Sequence, residues 1–226
     1  MLRHADMYFG IYRDIGIYCP CHDEERVLGG ELPCSLACVG GAALGNVQVT
    51  VNGTPAPLYY VSPGQVDFQI PYSIAPGPAL VQVSSNGTAG GSAGITVQQA
   101  APGILTWVDG AGNTRAIAQN QDYSLNSSNN CAAPGSYVTV YMMGSGPLNN
   151  PIASGAAAPA SPLSQETLTT TATVGAAYAS VPFAGMAPTF VGLMQVNLQV
   201  PAVSGDLPVQ VQVGSFASNS ALLCVQ

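Results

Sequence analysis

The chain of 226 residues has no lysine and four arginines, and charged residues make up only 7% of it, against about a quarter in an ordinary globular protein. Eleven acids bring the net charge to -7. A polyanion would find almost no side chains able to neutralise its phosphates, which argues nucleic acid out as a partner. From residue 32 onward there is neither histidine nor lysine, so the usual general bases and Schiff-base amines are missing from most of the chain. No run approaches the roughly 18 consecutive apolar residues of a membrane-spanning helix. A load of 26 Gly and 18 Pro argues against long helices. The first residues also make a poor secretory signal, because Arg3, His4, Asp6, Arg13 and Asp14 fall where an uninterrupted apolar core of about 7 to 15 residues is needed. Ser35-Leu36-Ala37-Cys38 resembles a lipidation site only faintly, lacking an aliphatic first residue and a basic stretch upstream.

What is present is hydrophobic residue content of 47%, arranged with period two. Val47, Val49 and Val51 alternate with Gln48, Thr50 and Asn52, and Val66, Phe68 and Ile70 alternate with Gln65, Asp67 and Gln69. The alternation returns at Val138 and Val140, at Val196, Leu198 and Val200, and at Val209, Val211 and Val213. These are half-buried strands, and no helical stripe competes with them. Asn52-Gly53 and Asn86-Gly87 sit between such runs, as two-residue hairpins with positive φ at both central positions require. Pro71, Pro76, Pro78, Pro182, Pro188, Pro201 and Pro208 are read as punctuating the ends of runs.

One block recurs: Val66-Asp67-Phe68-Gln69-Ile70-Pro71 comes back as Val196-Asn197-Leu198-Gln199-Val200-Pro201. Thr50-Val51-Asn52-Gly53 precedes the first copy and Thr173-Val174-Gly175 the second. Leu80-Val81-Gln82-Val83 and Val209-Gln210-Val211-Gln212 follow, and the closing runs are Ile95-Thr96-Val97-Gln98 and Leu223-Cys224-Val225-Gln226. Self-similarity of this kind indicates two copies of one β-module. The second copy has about 75 additional residues before it, with a further strand at Tyr137 to Met142, whereas the first has only the charged segment 1–31. Within that segment Met7, Phe9, Ile11, Ile15 and Ile17 alternate with Tyr8, Tyr12 and Tyr18, so residues 7–18 form a candidate strand that completes the first module, with Arg13 at its edge.

The run Leu58-Tyr59-Tyr60-Val61-Ser62-Pro63-Gly64-Gln65-Val66-Asp67-Phe68-Gln69-Ile70-Pro71 resembles an uncharacterised bacterial module found at the C-terminal end of long extracellular proteins, similar in style to IPT/TIG immunoglobulin-like domains. The resemblance continues through Ala116 to Asp122, Pro134 to Tyr141, Gly155 to Pro159 and Phe183 to Pro188, in family order, over roughly residues 44–226. It implies a tandem immunoglobulin-like β-sandwich at the cell surface and carries no catalytic residues with it. Segment 1–31 departs from the pattern.

The cysteines are the most reactive groups. Cys19, Cys21, His22, Cys34 and Cys38 offer enough donors for a tetrahedral zinc site, but Cys19-Pro20-Cys21 is tighter than the usual knuckle spacing, and disulfides or free thiols compete. A Cys131–Cys224 disulfide is geometrically open without being implied. Asp109-Gly110-Ala111-Gly112-Asn113 has the flavour of a calcium loop with too few oxygen ligands, and reads as a polar hairpin turn. Hydrolysis would need a carboxylate pair drawn from Asp67, Asp109, Asp122, Glu166 and Asp206, which are scattered singly. Glycan binding needs only exposed rings and amides, for which Tyr59, Tyr60, Trp107 and Tyr123 are the leading candidates, with Tyr137, Tyr141 and Tyr178 behind them. The sequons at Asn52, Asn86 and Asn126 read as turns.

Together these features predict an all-β chain of two tandem immunoglobulin-like β-sandwiches, residues 32–99 and 100–226, behind an irregular or strand-donating segment 1–31. The function expected is a non-catalytic extracellular or cell-surface structural or adhesive module. Its partners would be copies of itself or other surface proteins, and it would need no cofactor. A carbohydrate-binding module acting on polysaccharide is the first alternative and a hydrolase the second.

Overall fold

The computed structural model describes residues 43–62 and 65–226, and among them there are strands, turns and bends but no α-helix. The first group of strands is β1 (Val47–Val51), β2 (Thr54–Pro55), β3 (Leu58–Ser62), β4 (Gln65–Phe68), β5 (Gly77–Ser85) and β6 (Thr88–Val97). They form a four-stranded antiparallel sheet in the order β2-β1-β5-β6 and a separate β3-β4 pair. Val49, Val51, Val81, Ile95 and Val97 from the sheet meet Leu58 and Ile70 in one buried cluster, with Val66 and Phe68 packed against it. The alternation is thus used as read: one face of each strand supplies the core. Asn52-Gly53 and Asn86-Gly87 make the two hairpins, all four residues having positive φ, as a mirror-image turn between right-twisted strands demands.

The second group comprises β7 (Gly103–Ile104), β8 (Thr106–Val108), β9 (Thr114–Ala116), β10 (Ala118–Asn120), β11 (Tyr137–Met143), β12 (Thr170–Val174), β13 (Ala177–Met186), β14 (Met194–Gln199), β15 (Gly205–Val213), β16 (Phe216–Ala217) and β17 (Ala221–Val225). Its strand order is β10-β11-β14-β13-β12-β15-β17-β9-β8, with β7 on β11 and β16 on β15. This is one continuous hydrogen-bonded path, where two separate stacked sheets were expected. The cause is β13. Its first half, Ala177 to Ala179, pairs with β12, and its second half, Phe183 to Met186, pairs with β14. The register shifts between Ser180 and Phe183, around Pro182, which has no N–H to give to a ladder. Pro182 therefore sits inside a strand, as do Pro78 in β5 and Pro208 in β15, contrary to the expectation that all these prolines end runs.

The second core gathers Val138, Val140 and Met142 of β11 with Met194, Val196 and Leu198 of β14, and Val209, Val211 and Val213 of β15. The chain passes from one cluster to the other between Val97 and Ala100. Hydrogen bonds tie the groups together, among them the Tyr72 N–H donating to Ser154 Oγ at 2.9 Å and the Gly155 N–H donating to Gln69 Oε1 at 2.6 Å.

The final strand, β17, lies inside the second group. β15 pairs with it along its length. On its other edge it meets Arg115 of β9 at Leu222 and Ala132 at Val225, both in parallel. Asn126, 1% exposed, clamps the same strand: its Nδ2 donates to the Cys224 carbonyl and the Cys224 N–H donates to its Oδ1, both at 2.9 Å. Asn126 is therefore a buried structural amide and not an exposed acceptor. Asn126→Ala strips the Cys224 N–H of its partner in a dry site. An unsatisfied buried donor costs about 1–3 kcal/mol, so the urea midpoint should fall with the slope unchanged.

Candidate functional site

The carboxylates come first, because a hydrolase would need two of them facing a common cleft. Asp109 and Asp206 do converge, but on Arg115. The guanidinium of Arg115 is 1% exposed; its Nε donates to Asp109 Oδ2 at 2.6 Å, and its two terminal nitrogens donate to Asp206 at 2.8 and 2.7 Å. A buried cation held by a fork on one carboxylate and a single bond to another has its charge matched and its donors engaged. Asp109 also closes the β8–β9 turn by accepting the N–H groups of Ala111 and Asn113, both at 2.9 Å. The Asp109 loop is thus the polar hairpin turn the sequence suggests. Arg115 holds both carboxyls below the usual carboxylate range, and they in turn push the guanidinium higher.

The remaining acids are apart. Asp122 stabilises the turn after β10 through Ser124, whose hydroxyl and N–H donate to it and lower its pKa. Glu166 accepts the N–H groups of Gly146 and Leu168. Asp67 is 5% exposed; its Oδ1 accepts a bond from Gln65 Nε2 at 2.8 Å, and its buried Oδ2 has no hydrogen-bond partner.

The tyrosines divide differently from the expectation. Tyr59 is buried, with its hydroxyl donating to Gln69 Oε1 at 3.2 Å. The reason is the irregularity between Leu58 and Tyr60 in the β3–β4 ladder, which turns two successive side chains inward. Tyr60 is exposed opposite Asp67. Trp107 is half-buried in β8 with its indole N–H turned in and unpaired, and Tyr123 stands exposed in the turn after β10 at positive φ. These four belong to three separate elements.

The outer face of β10, β11, β14 and β13 composes a common platform. Across the ladder Tyr137 lies opposite Gln199, and Gln199 opposite Ser180; the next row is Gln119, Thr139, Asn197 and Phe183. Tyr178 stands two residues before Ser180 on the same side of β13. Tyr137 and Tyr178 are both exposed, the latter at 82%, and they flank Gln199. Hydrogen bonds knit the surface: Thr139 Oγ1 to Asn197 Oδ1 at 3.0 Å and the Tyr141 hydroxyl to Gln119 Oε1 at 2.7 Å. Burial pushes the Tyr141 hydroxyl above the ordinary phenol range. The rows named hold no charge. Alternation singled out Tyr137, Tyr141 and Tyr178, but pairing across strands distant in sequence was needed to assemble them.

Cys131 and Cys224 form a disulfide, with Cα atoms 4.6 Å apart. Cys19, Cys21, His22, Cys34 and Cys38, the candidate zinc donors, lie outside the described residues, as do the lipidation-like run and strand 7–18. No group of three or more His, Cys, Asp or Glu able to hold a metal occurs among the described residues. No described helix is long and apolar enough to cross a membrane.

The triad predicts a pH response. Carboxyls depressed in the folded state contribute stability that is present above their unfolded pKa, about 4, and lost as pH falls through the lower folded value. The melting temperature should hold from pH 7 to about 4 and drop on further acidification. Arg115→Met should melt lower at neutral pH and show a shallower acid decline. A wild-type melting temperature unchanged between pH 4 and 2 contradicts the assignment.

No family model and no curated protein matches the chain. Among solved structures, it is similar to domains 4 and 5 of the S-layer protein SbsC at 16% identity and a TM-score of 0.24, covering 87% of this chain and 76% of that one. It is similar also to SbsC domains 4-9, at 17% identity and a TM-score of 0.24, with 88% of this chain covered. Of that longer structure the chain spans 23%. A TM-score of this size carries no assignment of fold or role.

Proposed function

We propose that the chain is a non-catalytic structural or adhesive module of an exported, cell-surface protein, its two groups of strands being two tandem immunoglobulin-like units, the second of them formed from one continuous sheet. The observation that supports this reading best is the disposition of the five described carboxylates. Two hold Arg115, two serve turns and loops, and Asp67 is bonded to Gln65. Each is engaged in the fold, and the two that converge, Asp109 and Asp206, are held on the guanidinium of Arg115 between them. A disulfide between Cys131 and Cys224 of β17 suits an oxidising compartment.

Such a module meets copies of itself or other surface proteins through sheet edges, and β6 is the longest open one. It runs for ten residues, Thr88 to Val97, carries no charge and no proline, and is unpaired on one side among the described residues. Edge strands are ordinarily guarded by lysine, proline or brevity, and β6 has none of these. Light scattering with negative-stain imaging tests the point. The intact chain should associate as concentration rises, and Ser92→Lys with Thr96→Lys, both at exposed positions, should keep it monomeric. Monomers throughout for the unaltered chain would remove self-association.

The Tyr137, Gln199 and Tyr178 platform favours a second reading, a polysaccharide-binding face, since exposed rings beside amides grip sugar rings without charge. A glycan screen decides it. Binding that Tyr137→Ala and Tyr178→Ala each weaken at least about tenfold, roughly 1.4 kcal/mol, would establish it, and no binding in the screen would dismiss it.

A further inference from the structure

Asn52-Gly53-Thr54 and Asn86-Gly87-Thr88 are the same tripeptide at two hairpin turns, and the fold holds them differently. Asn52 is clamped to Leu80 of β5 through both backbone and side chain: its N–H donates to the Leu80 carbonyl at 2.9 Å, and its Oδ1 accepts the Leu80 N–H at 2.8 Å. This turn stands between Val51 and Ala56, which are both fully buried. Asn86 has its own N–H on the Asn46 carbonyl at 2.9 Å, but its side chain makes only a long contact among the described residues, Nδ2 to Ser85 Oγ at 3.4 Å. Every residue from Ser85 to Ser92 is exposed. Beyond an irregularity between Gln82 and Ser84, the β5–β6 ladder continues through Ser84↔Ala89 and Ser85↔Thr88. A ribbon tip without buried apolar side chains opens at little cost.

We propose that Asn86 is a modification site of the folded protein, where the side-chain amide converts spontaneously to a carboxylate, and that the Leu80 clamp spares Asn52. Asparagine followed by glycine suits this chemistry, because glycine has no Cβ to keep its nitrogen from the side-chain carbonyl. The Gly87 nitrogen gives up its proton to solvent and bonds to Asn86 Cγ. The Cγ–Nδ2 bond breaks, and Nδ2 takes up a proton and leaves as ammonia. Water then opens the five-membered imide, giving aspartate when it attacks Cγ and isoaspartate when it attacks the main-chain carbonyl. One water is consumed and one ammonia released, with no oxidant or reductant. To close the ring, the side chain must swing over the glycine that follows it. At Asn86 that motion forfeits only the Ser85 contact, whereas at Asn52 it leaves the Leu80 N–H without its acceptor. The product carries a carboxylate beside the start of β6, a strand with no charge of its own. Its isoaspartyl form also adds a methylene carbon to the main chain of a turn whose length fixes the hairpin register. This inference goes beyond the surface-module reading and does not depend on it.

Timed incubation of the intact chain at mildly alkaline pH tests it, followed by digestion in acid, where the reaction is slow, and mass spectrometry of the peptides around the two turns. In the folded chain Asn86 should convert at least about tenfold faster than Asn52, the factor that one forfeited hydrogen bond supplies. In concentrated guanidinium chloride the identical tripeptides are equally free, and the two rates should draw together. Equal rates in the folded chain, faster conversion at Asn52, or an Asn86 that converts only in denaturant overturns the proposal. So does a difference that persists unchanged in denaturant, because it would then owe nothing to the fold.

Discussion

The second group of strands depends on where its last strand is held. β17 lies between β15 on one edge and Arg115 of β9 and Ala132 on the other. Three devices fix it there. The Asn126 amide bonds both polar groups of the Cys224 backbone, Ala132 extends the ladder at Val225, and the disulfide joins Cys224 to Cys131. A covalent link closing a loop of this separation, 93 residues, restrains the unfolded chain by several kcal/mol in the chain-entropy account, about 4–5 at this length. Arg115 braces the same strand from the other end, beside Leu222, and reaches Asp206 in β15. Remove the clamp, and the Leu223 and Val225 face of the core loses its backing.

Among the described residues the six charged side chains all serve the fold, and the surfaces are left to amides, hydroxyls and rings. Strand edges and faces of that kind repel copies of themselves weakly, because they lack the like charges that ordinarily keep sheets apart.

Much of this architecture was legible in period-two alternation. β1, β4, β11, β14 and β15 lie where apolar residues alternate with polar ones or tyrosine, β17 falls on the closing run of the repeat, and both Asn-Gly pairs are the hairpins they resemble. The partner exchange of β13 was not legible, since Pro182 reads locally as a terminator and its accommodation in a register shift depends on neighbours distant in sequence. Burial of Arg115 was equally hidden: Asp206, its fork partner, lies far along the chain. For the tyrosines, the adjacent pair Tyr59 and Tyr60 made the choice of face ambiguous, and the irregularity beside Leu58 settled it by turning Tyr59 inward. Asn126 carried a sequon, a signal that pointed outward while the side chain turned in.

The state of the two cysteines in the cells that make the protein tests the account most directly, because an exported, disulfide-clamped module cannot be mature in a reducing compartment. Free thiols would be blocked at lysis, the protein digested without reduction, and the peptides around Cys131 and Cys224 weighed. The account predicts one linked pair, with neither cysteine carrying the blocking group. Recovery of both peptides singly and fully blocked would contradict it.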